Sequence, residues 1–372
     1  MNTWAMTEQT TTSQFIEDDA QDAFAAGFHD ASEDYGRLNI AVLGNTGVGK
    51  STLVNAMFQK DLCPVGLGKP VTTEVSPYDN ESGTLRIYDF PGFEHGKKRD
   101  PVEYMTKELK KLQKGPEEDR VHLAWFCWAL PRFEDSHKRV VEALAAQGIV
   151  TIGIVAKVED NELDDAHAFA RLLSDYFGSL IHHRVMVVRA GKAPVKGLRE
   201  LLDETREVAP DAFREALEAA QRVDLAAKDR QARAIVAAAA ASAGAVAATP
   251  IPVASATILA PIQLGMMGKL ANLYGLSLVG MLGMSGLVQL SLQLTGRAAA
   301  QSLVKLIPGP GSVVNLAVAT IWTEAAGEAW IQICKGLATG KLDPSKISNV
   351  LDMLSPLVEA ILRSKMPKAK KR

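Results

Sequence analysis

Charge is missing where a chain of 372 residues should carry a good deal of it. Residues 234–323 contain no acid, and Lys269, Arg297 and Lys305 are their only bases. At the overall charged fraction of 23% that stretch would hold about 20 charges, so the deficit belongs to the region. Bases are absent from residues 1–36, which carry eight acids. Cysteine is scarce, and Cys63, Cys127 and Cys334 are odd in number, far apart and without metal-ligand spacing. That excludes a disulfide framework and a cysteine-built zinc site, and it fits a reducing compartment. The acidic start lacks the basic residues and apolar run of a secretory signal, so the expected location is cytoplasmic, with the inner face of the cytoplasmic membrane as its variant. A net charge of −2 with 47% hydrophobic residues argues against general disorder and against coating nucleic acid. The length gives a prior of two or three domains.

Between Arg37 and about Pro210, short apolar runs alternate with amphipathic helical patterns, the signature of a mostly parallel sheet flanked by helices. Strands are expected at 38–43, 73–78, 84–88, 122–128, 150–155 and 185–188, with helices at 50–59, 101–113, 136–146, 162–177 and 195–208. Asn80-Glu81-Ser82-Gly83 supplies turn residues for an antiparallel hairpin between the second and third strands. Residues 1–36 read as a flexible acidic arm and 211–233 as a connector helix. Residues 234–335 read as an apolar helical domain, and 336–372 as a last helix with a tail of six bases from Arg363 onward.

Gly44-Asn45-Thr46-Gly47-Val48-Gly49-Lys50-Ser51 follows the first strand and opens a helix. Its glycines let the backbone fold into a nest of N–H donors around phosphates at a helix N-terminus. Lys50 should reach the terminal phosphates and the Ser51 hydroxyl should ligate Mg²⁺, with Thr52 completing the nucleotide-binding run. Asp89-Phe90-Pro91-Gly92 ends the third strand, where Asp89 can hold Mg²⁺ through water and the Gly92 N–H can meet the terminal phosphate. In the intervening Pro70-Val71-Thr72-Thr73-Glu74, Thr73 is favoured over Thr72 to complete the metal shell and act in catalysis beside Lys50 and Gly92.

This order of motifs resembles the small-GTPase-like superfamily over roughly residues 37–210, and the phosphate loop with Thr46 is similar to those of septins, immunity-related and Era-like GTPases. The resemblance implies an α/β P-loop NTPase domain that binds GTP or GDP with Mg²⁺ and hydrolyses GTP. Its guanine-specificity motif falls on Ala156-Lys157-Val158-Glu159-Asp160, with Lys157 along the base and Glu159, or Asp160 after a local shift, accepting from the guanine N–H groups. Glu159 departs from the usual aspartate by one methylene. Arg189-Ala190-Gly191 resembles the last base-binding loop, with the Ala190 N–H facing the guanine carbonyl. Phe93 stands where many such proteins place a water-orienting glutamine, which implies slow hydrolysis unless Glu94, His95 or a partner assists.

The uncharged C-terminal half admits two physical readings. The 27 uncharged residues at 270–296 are long enough to enter a bilayer, while its Ala and Gly would let helices pack closely in a bundle. Thr249-Pro250-Ile251-Pro252, Pro261-Ile262-Gln263-Leu264, Leu270-Ala271-Asn272-Leu273-Tyr274-Gly275 and Leu306-Ile307-Pro308-Gly309 resemble a domain of unknown function appended to bacterial GTPases. That resemblance implies proximity to a membrane, where Lys368, Lys370, Lys371 and Arg372 can meet anionic lipid; a solvated tail is the alternative. The expected partners are guanine nucleotide, an anionic membrane, a second copy paired through the nucleotide domain, and an effector or activating protein. A soluble nucleotide-dependent scaffold is the second functional class. A ribosome- or RNA-associated GTPase ranks last, because bases are scarce there and no aromatics interleave with them.

Overall fold

The computed structural model describes residues 3–58, 62–64, 74–92, 100–131, 133–191, 195–248, 255–282, 311–343 and 350–365. Two compact units divide the chain: Tyr35–Leu225, and Met1–Asp34 with Ala226–Arg372.

In the first unit the apolar runs become strands β1 (Leu38–Gly44), β2 (Ser76–Asp79), β3 (Leu85–Asp89), β4 (Leu123–Trp128), β5 (Val150–Val155) and β6 (Met186–Val187). They form one sheet in the order β2-β3-β1-β4-β5-β6, with β2 antiparallel to β3 and every other pair parallel. All seven residues of β1 and all six of β4 are buried, as expected for central parallel strands covered on both faces. The hairpin closes through Asn80, whose Oδ1 accepts from the Leu85 N–H at 3.0 Å and whose Nδ2 donates to Ser82 and Thr84.

Helices α3 (Pro101–Lys114), α4 (Asp135–Ala145) and α5 (Leu163–Phe177) cover one face, while α2 (Lys50–Met57), α6 (Leu198–Val208) and α7 (Arg214–Ala220) cover the other. β4 shows the alternation: Phe126 and Trp128 pack toward α4 and α5, whereas Trp125 stacks on Phe58 and donates its indole N–H to Thr205 of α6 at 3.2 Å. α3 begins as sequence rules ask, with Asp100 accepting from the Val102 N–H at 2.9 Å and Pro101 in the first turn.

Three expectations differ from what forms. The residues read as a connector helix are two helices, α7 and α8 (Leu225–Ala247), separated by a turn. α7 buries Ala216, Leu217, Ala219 and Ala220 beside β1 and β3, so the nucleotide unit runs on to Leu225 instead of closing at Pro210. The acidic N-terminal segment is helix α1 (Thr3–Tyr35), in which Phe24, Phe28 and Ala31 are buried, so its 19–35 portion is no loose arm. β6 keeps only two of the four residues expected at 185–188.

The second unit is helical: α1, α8, α9 (Ser255–Leu273), α10 (Leu278–Leu282), α11 (Gly311–Ala338) and α12 (Val350–Lys365). Small residues set its helix contacts. A side chain at Gly27 would run into the Gly265 backbone, one at Gly268 into the Phe24 carbonyl, one at Gly244 into Thr320, and one at Gly327 into Val236. Trp330 meets Phe24 edge-on at 6.3 Å and donates to the Met267 carbonyl at 2.9 Å. Buried polar side chains reach across to neighbouring helices: Lys228 donates to the Leu273 carbonyl at 2.7 Å, Gln263 to Thr323 at 2.9 Å, and Asn272 to Ser32 at 2.6 Å, while the amide oxygens of Gln263 and Asn272 accept no hydrogen bond among the described residues. Among the described residues no helix is long and apolar enough to cross a membrane. The Pro250, Pro252 and Leu306–Gly309 motifs, most of 270–296 and the basic tail from Lys368 lie outside the described residues.

His122 makes the first unit sensitive to acid. Its Nδ1 accepts from the Asn39 N–H at 2.9 Å and its ring stacks on Phe213 at 4.1 Å. Burial, with Arg37 adding to it, pushes its pKa down from 6.5 to about 4. The native state therefore binds fewer protons than the unfolded chain between those two values, and stability is lost as pH falls through that window. Urea midpoints measured across it should decline with acidification in the wild type and flatten in His122→Gln, which keeps an acceptor without the titration. An equal slope in both proteins would reject this origin.

Candidate functional site

β1 lies where the strand order reverses, with β3 on one side and β4 on the other, so the loop after it opens into the crevice at the carboxyl ends of the strands. The turn out of β1 needs glycine. Gly44 has φ 135°, and a side chain there would strike the Cys127 carbonyl; Gly47 has φ 79° and Gly49, which caps α2, has φ 97°. Lys50 and Ser51 are thereby the first two residues of α2, at the end where backbone N–H groups lack helical partners.

Lys50 curls over the loop and donates to the carbonyls of Gly44 at 3.0 Å and Asn45 at 3.3 Å. Burial lowers its pKa, with the negative charge of Asp89 opposing that shift. Asp89 ends β3, paired in register with Val42 of β1, and is buried. Burial also pushes the Cys127 thiol up to about 12, so no thiolate lies beneath the loop. Gly92 packs so tightly on Thr46 that any side chain there would overlap the threonine, which brings the loop after β3 against the phosphate loop. Thr73, its alternative Thr72, and Phe93, Glu94 and His95 lie outside the described residues.

The segments assigned to the base converge on the same place. Lys157 takes the left-handed φ of 56°, unusual for a residue with a side chain, and its ammonium donates to the Gly47 carbonyl at 3.2 Å. A methyl group on Gly49 would lie 3.5 Å from Lys157 and 3.9 Å from Ala156. One on Gly191 would lie 3.3 Å from the Thr52 methyl, which places Ala190 and Gly191 over the start of α2. Glu159 is exposed, and its N–H is held by the Glu162 carboxylate at 3.0 Å. Asp160, the alternative acceptor, is engaged by Arg189 in a close ion pair.

Sequence reasoning missed His137. It sits buried in the first turn of α4, where both the Trp128 indole N–H at 3.2 Å and the Glu134 N–H at 3.3 Å point at its Nδ1. The ring proton therefore resides on Nε2, which donates to Asn45 Oδ1 at 3.3 Å and fixes the second residue of the phosphate loop. The available signal was Glu134-x-x-His137, a pair at helix-capping spacing.

Residues 39–148 match the family model described as 50S ribosome-binding GTPase, and residues 212–358 match one described as a domain of unknown function, DUF697. Among solved structures, a probable GTP-binding protein EngB is 19% identical, over 46% of this chain and 97% of that one, with a TM-score of 0.34. The G domain of the FeoB iron transporter from T. maritima is 20% identical over 46% of this chain and 98% of that one, TM-score 0.31. Aquifex aeolicus Era, solved with GDP and aluminium fluoride, is 17% identical over 59% and 69%, TM-score 0.37. The sheet order and the phosphate loop together define a P-loop GTPase fold. The first unit is accordingly a G domain that binds guanine nucleotide and hydrolyses GTP, and it is followed by a helical domain of the DUF697 type.

Lys50→Ala should abolish tight triphosphate binding, and Ser51→Ala should weaken its Mg²⁺-dependent part. His137→Ala removes one hydrogen bond behind Asn45 and should cost about 2–10-fold in affinity. Titration with a fluorescent GTP analogue reads all three, and wild-type affinity in a folded Lys50→Ala protein would overturn the assignment.

Proposed function

We propose that this protein is a GTP-controlled switch with slow Mg²⁺-dependent hydrolysis, in which nucleotide state governs contact of the helical domain with a membrane surface or with a second copy of the chain. The observation that carries the reading is the convergence on one phosphate loop of Gly92 from the loop after β3 and of Lys157 from the loop after β5. A triphosphate on that loop replaces the carbonyls now holding Lys50, so its terminal phosphate and its base both meet residues that contact this one loop.

In this reading the backbone of residues 44–49 and the N-terminus of α2 bind the phosphates, Lys50 neutralises the terminal ones, and the Gly92 N–H meets the γ-phosphate. Lys157 lies along the base, Glu159 accepts from its N–H groups, and the Ala190 N–H serves its carbonyl. Ser51 and Asp89, with Thr73, offer a hydroxyl and carboxylate set suited to a hard cation, and the protonated Cys127 beneath adds no soft donor. Bound there, Mg²⁺ supplies charge neutralisation on the phosphates. Phe93 has no amide to orient water, which supports slow turnover in the isolated protein.

The soluble scaffold is the second reading, favoured by one observation: Lys228, Gln263 and Asn272 are buried and hydrogen-bonded between helices of the second unit, as in a water-soluble bundle. Ribosome association draws support only from the description of the family matched by residues 39–148, and residues 234–323 carry only three bases for it.

GTP and GDP should displace a labelled guanine nucleotide far better than ATP, and Glu159→Asp should keep or improve that preference. Equal competition by ATP would reject the base pocket. Turnover without partners should lie near 10⁻⁴ per second, to about an order of magnitude. Flotation with anionic vesicles and light scattering, each with GDP and with a non-hydrolysable GTP analogue, separate membrane contact from pairing; no response to nucleotide in either would reject the switch.

A further inference from the structure

At the other end of the sheet four metal-ligating side chains face one another with no role in nucleotide binding. The chain between α5 and β6 presents His182 and His183, and α6 presents Glu204 and Glu207 three residues apart on one helix face. One donor atom from each lies within 4.8 Å of all the others. His182 Nε2 is 3.3 Å from Glu204 Oε2 and 3.8 Å from Glu207 Oε1, and His183 Nδ1 is 3.0 Å from Glu204 Oε2. A tetrahedral ion with bonds of about 2.0–2.1 Å separates its ligands by about 3.3 Å, and these three donor pairs, at 3.0, 3.3 and 3.8 Å, are close to that edge length.

The backbone is arranged to produce this cluster. Adjacent residues in an extended chain point to opposite sides. Here His183 takes the left-handed φ of 47°, which turns its ring back so that it lies 3.9 Å from the ring of His182. The His182 N–H is tied to the Thr151 carbonyl at 2.7 Å, and α6 is anchored beneath by buried Leu201, Leu202 and Thr205. His182 Nε2 is covered by protein, yet it makes no aligned hydrogen bond to the carboxylates beside it.

We propose that His182, His183, Glu204 and Glu207 bind a zinc-type divalent ion that clamps α6 to the α5–β6 connection. Two imidazoles with two carboxylates suit Zn²⁺, and four donors are too few, and too nitrogen-rich, for Mg²⁺ or Ca²⁺. Thr151 lies at the beginning of β5, whereas the phosphate loop follows the carboxyl end of β1, so the ion has a structural role and leaves the nucleotide chemistry alone.

The test is calorimetric titration of the full-length protein with Zn²⁺, in the presence of saturating Mg²⁺ and GDP to block the nucleotide site. One saturable equivalent is expected, with Tm raised by about 5–10 °C at a hundredfold excess over Kd. Co²⁺ in its place should give the visible absorption of a four-coordinate ion. Glu207→Gln and His183→Asn, both at half-exposed positions that folding tolerates, should each weaken binding by at least about 10–100-fold while GTP turnover stays unchanged. Replacing Cys63, Cys127 and Cys334 by serine should leave the affinity as it was. Absence of saturable binding, or binding that survives the Glu207 and His183 variants, would overturn the site.

Discussion

The backbone cannot leave the buried end of β1 with an ordinary side chain at Gly44, because the Cys127 carbonyl of the adjacent strand occupies that space. That steric constraint organises the nucleotide unit. With Gly44, Gly47 and Gly49 all at positive φ, the chain folds back within a few residues and starts α2 directly above the sheet. Every other element of the site is then defined by how it approaches this loop. β3 delivers Asp89 and Gly92 from one side, β4 carries Cys127 beneath, and β5 delivers Lys157 from the other. A loop built from backbone N–H groups presents what every residue has, whereas the neighbouring strands bring particular side chains to it.

Legibility followed how local the determining physics is. The six strands and the five helices around them were readable because apolar runs and 3.6-residue periodicity are properties of the segment itself. The phosphate loop was readable because its glycines answer a local conformational need. α7 was not readable, because its burial depends on β1 and β3, far away in sequence, while its own residues read as continuous helix with α8. His137 was hidden for a similar reason: its tautomer and its hold on Asn45 come from Trp128 and Glu134, and nothing in the residue type announces them. The pairing of Asp160 with Arg189 was hidden in the same way, because only the fold brings the two close.

In the helical unit composition gave the class and withheld the packing. Ala and Gly were compatible with insertion in lipid or with close helix contact, and the charge deficit could not choose between them. The glycines at 27, 244, 268 and 327 sit where a neighbouring backbone or side chain already fills the space of a Cβ. The acidic α1 could not be placed from its charges because its contribution is apolar: Phe24 and Phe28 are buried while Asp19, Asp22, Asp30, Glu33 and Asp34 are exposed, and Asn272 reaches the Phe28 carbonyl at 3.1 Å. Charge patterning reports the solvated side of a helix and says little about what the other side meets.

The exit from the nucleotide unit is tied to the helix that begins at the phosphate loop. α2 is only eight residues long, and at its far end the Met57 carbonyl accepts from the Arg222 N–H at 3.0 Å. Gln221 fixes the turn there by accepting from the N–H groups of Val223 and Asp224 at 2.8 and 2.7 Å, and Asp224, buried, is gripped by Arg199 at 2.9 Å and Arg206 at 3.1 Å. Arg206 in turn holds Glu218 of α7, so the turn is locked to α6 and α7 as well as to α2. α2 thus joins the phosphate loop at its first residue to the 221–224 turn at its last, three residues before the chain leaves this unit.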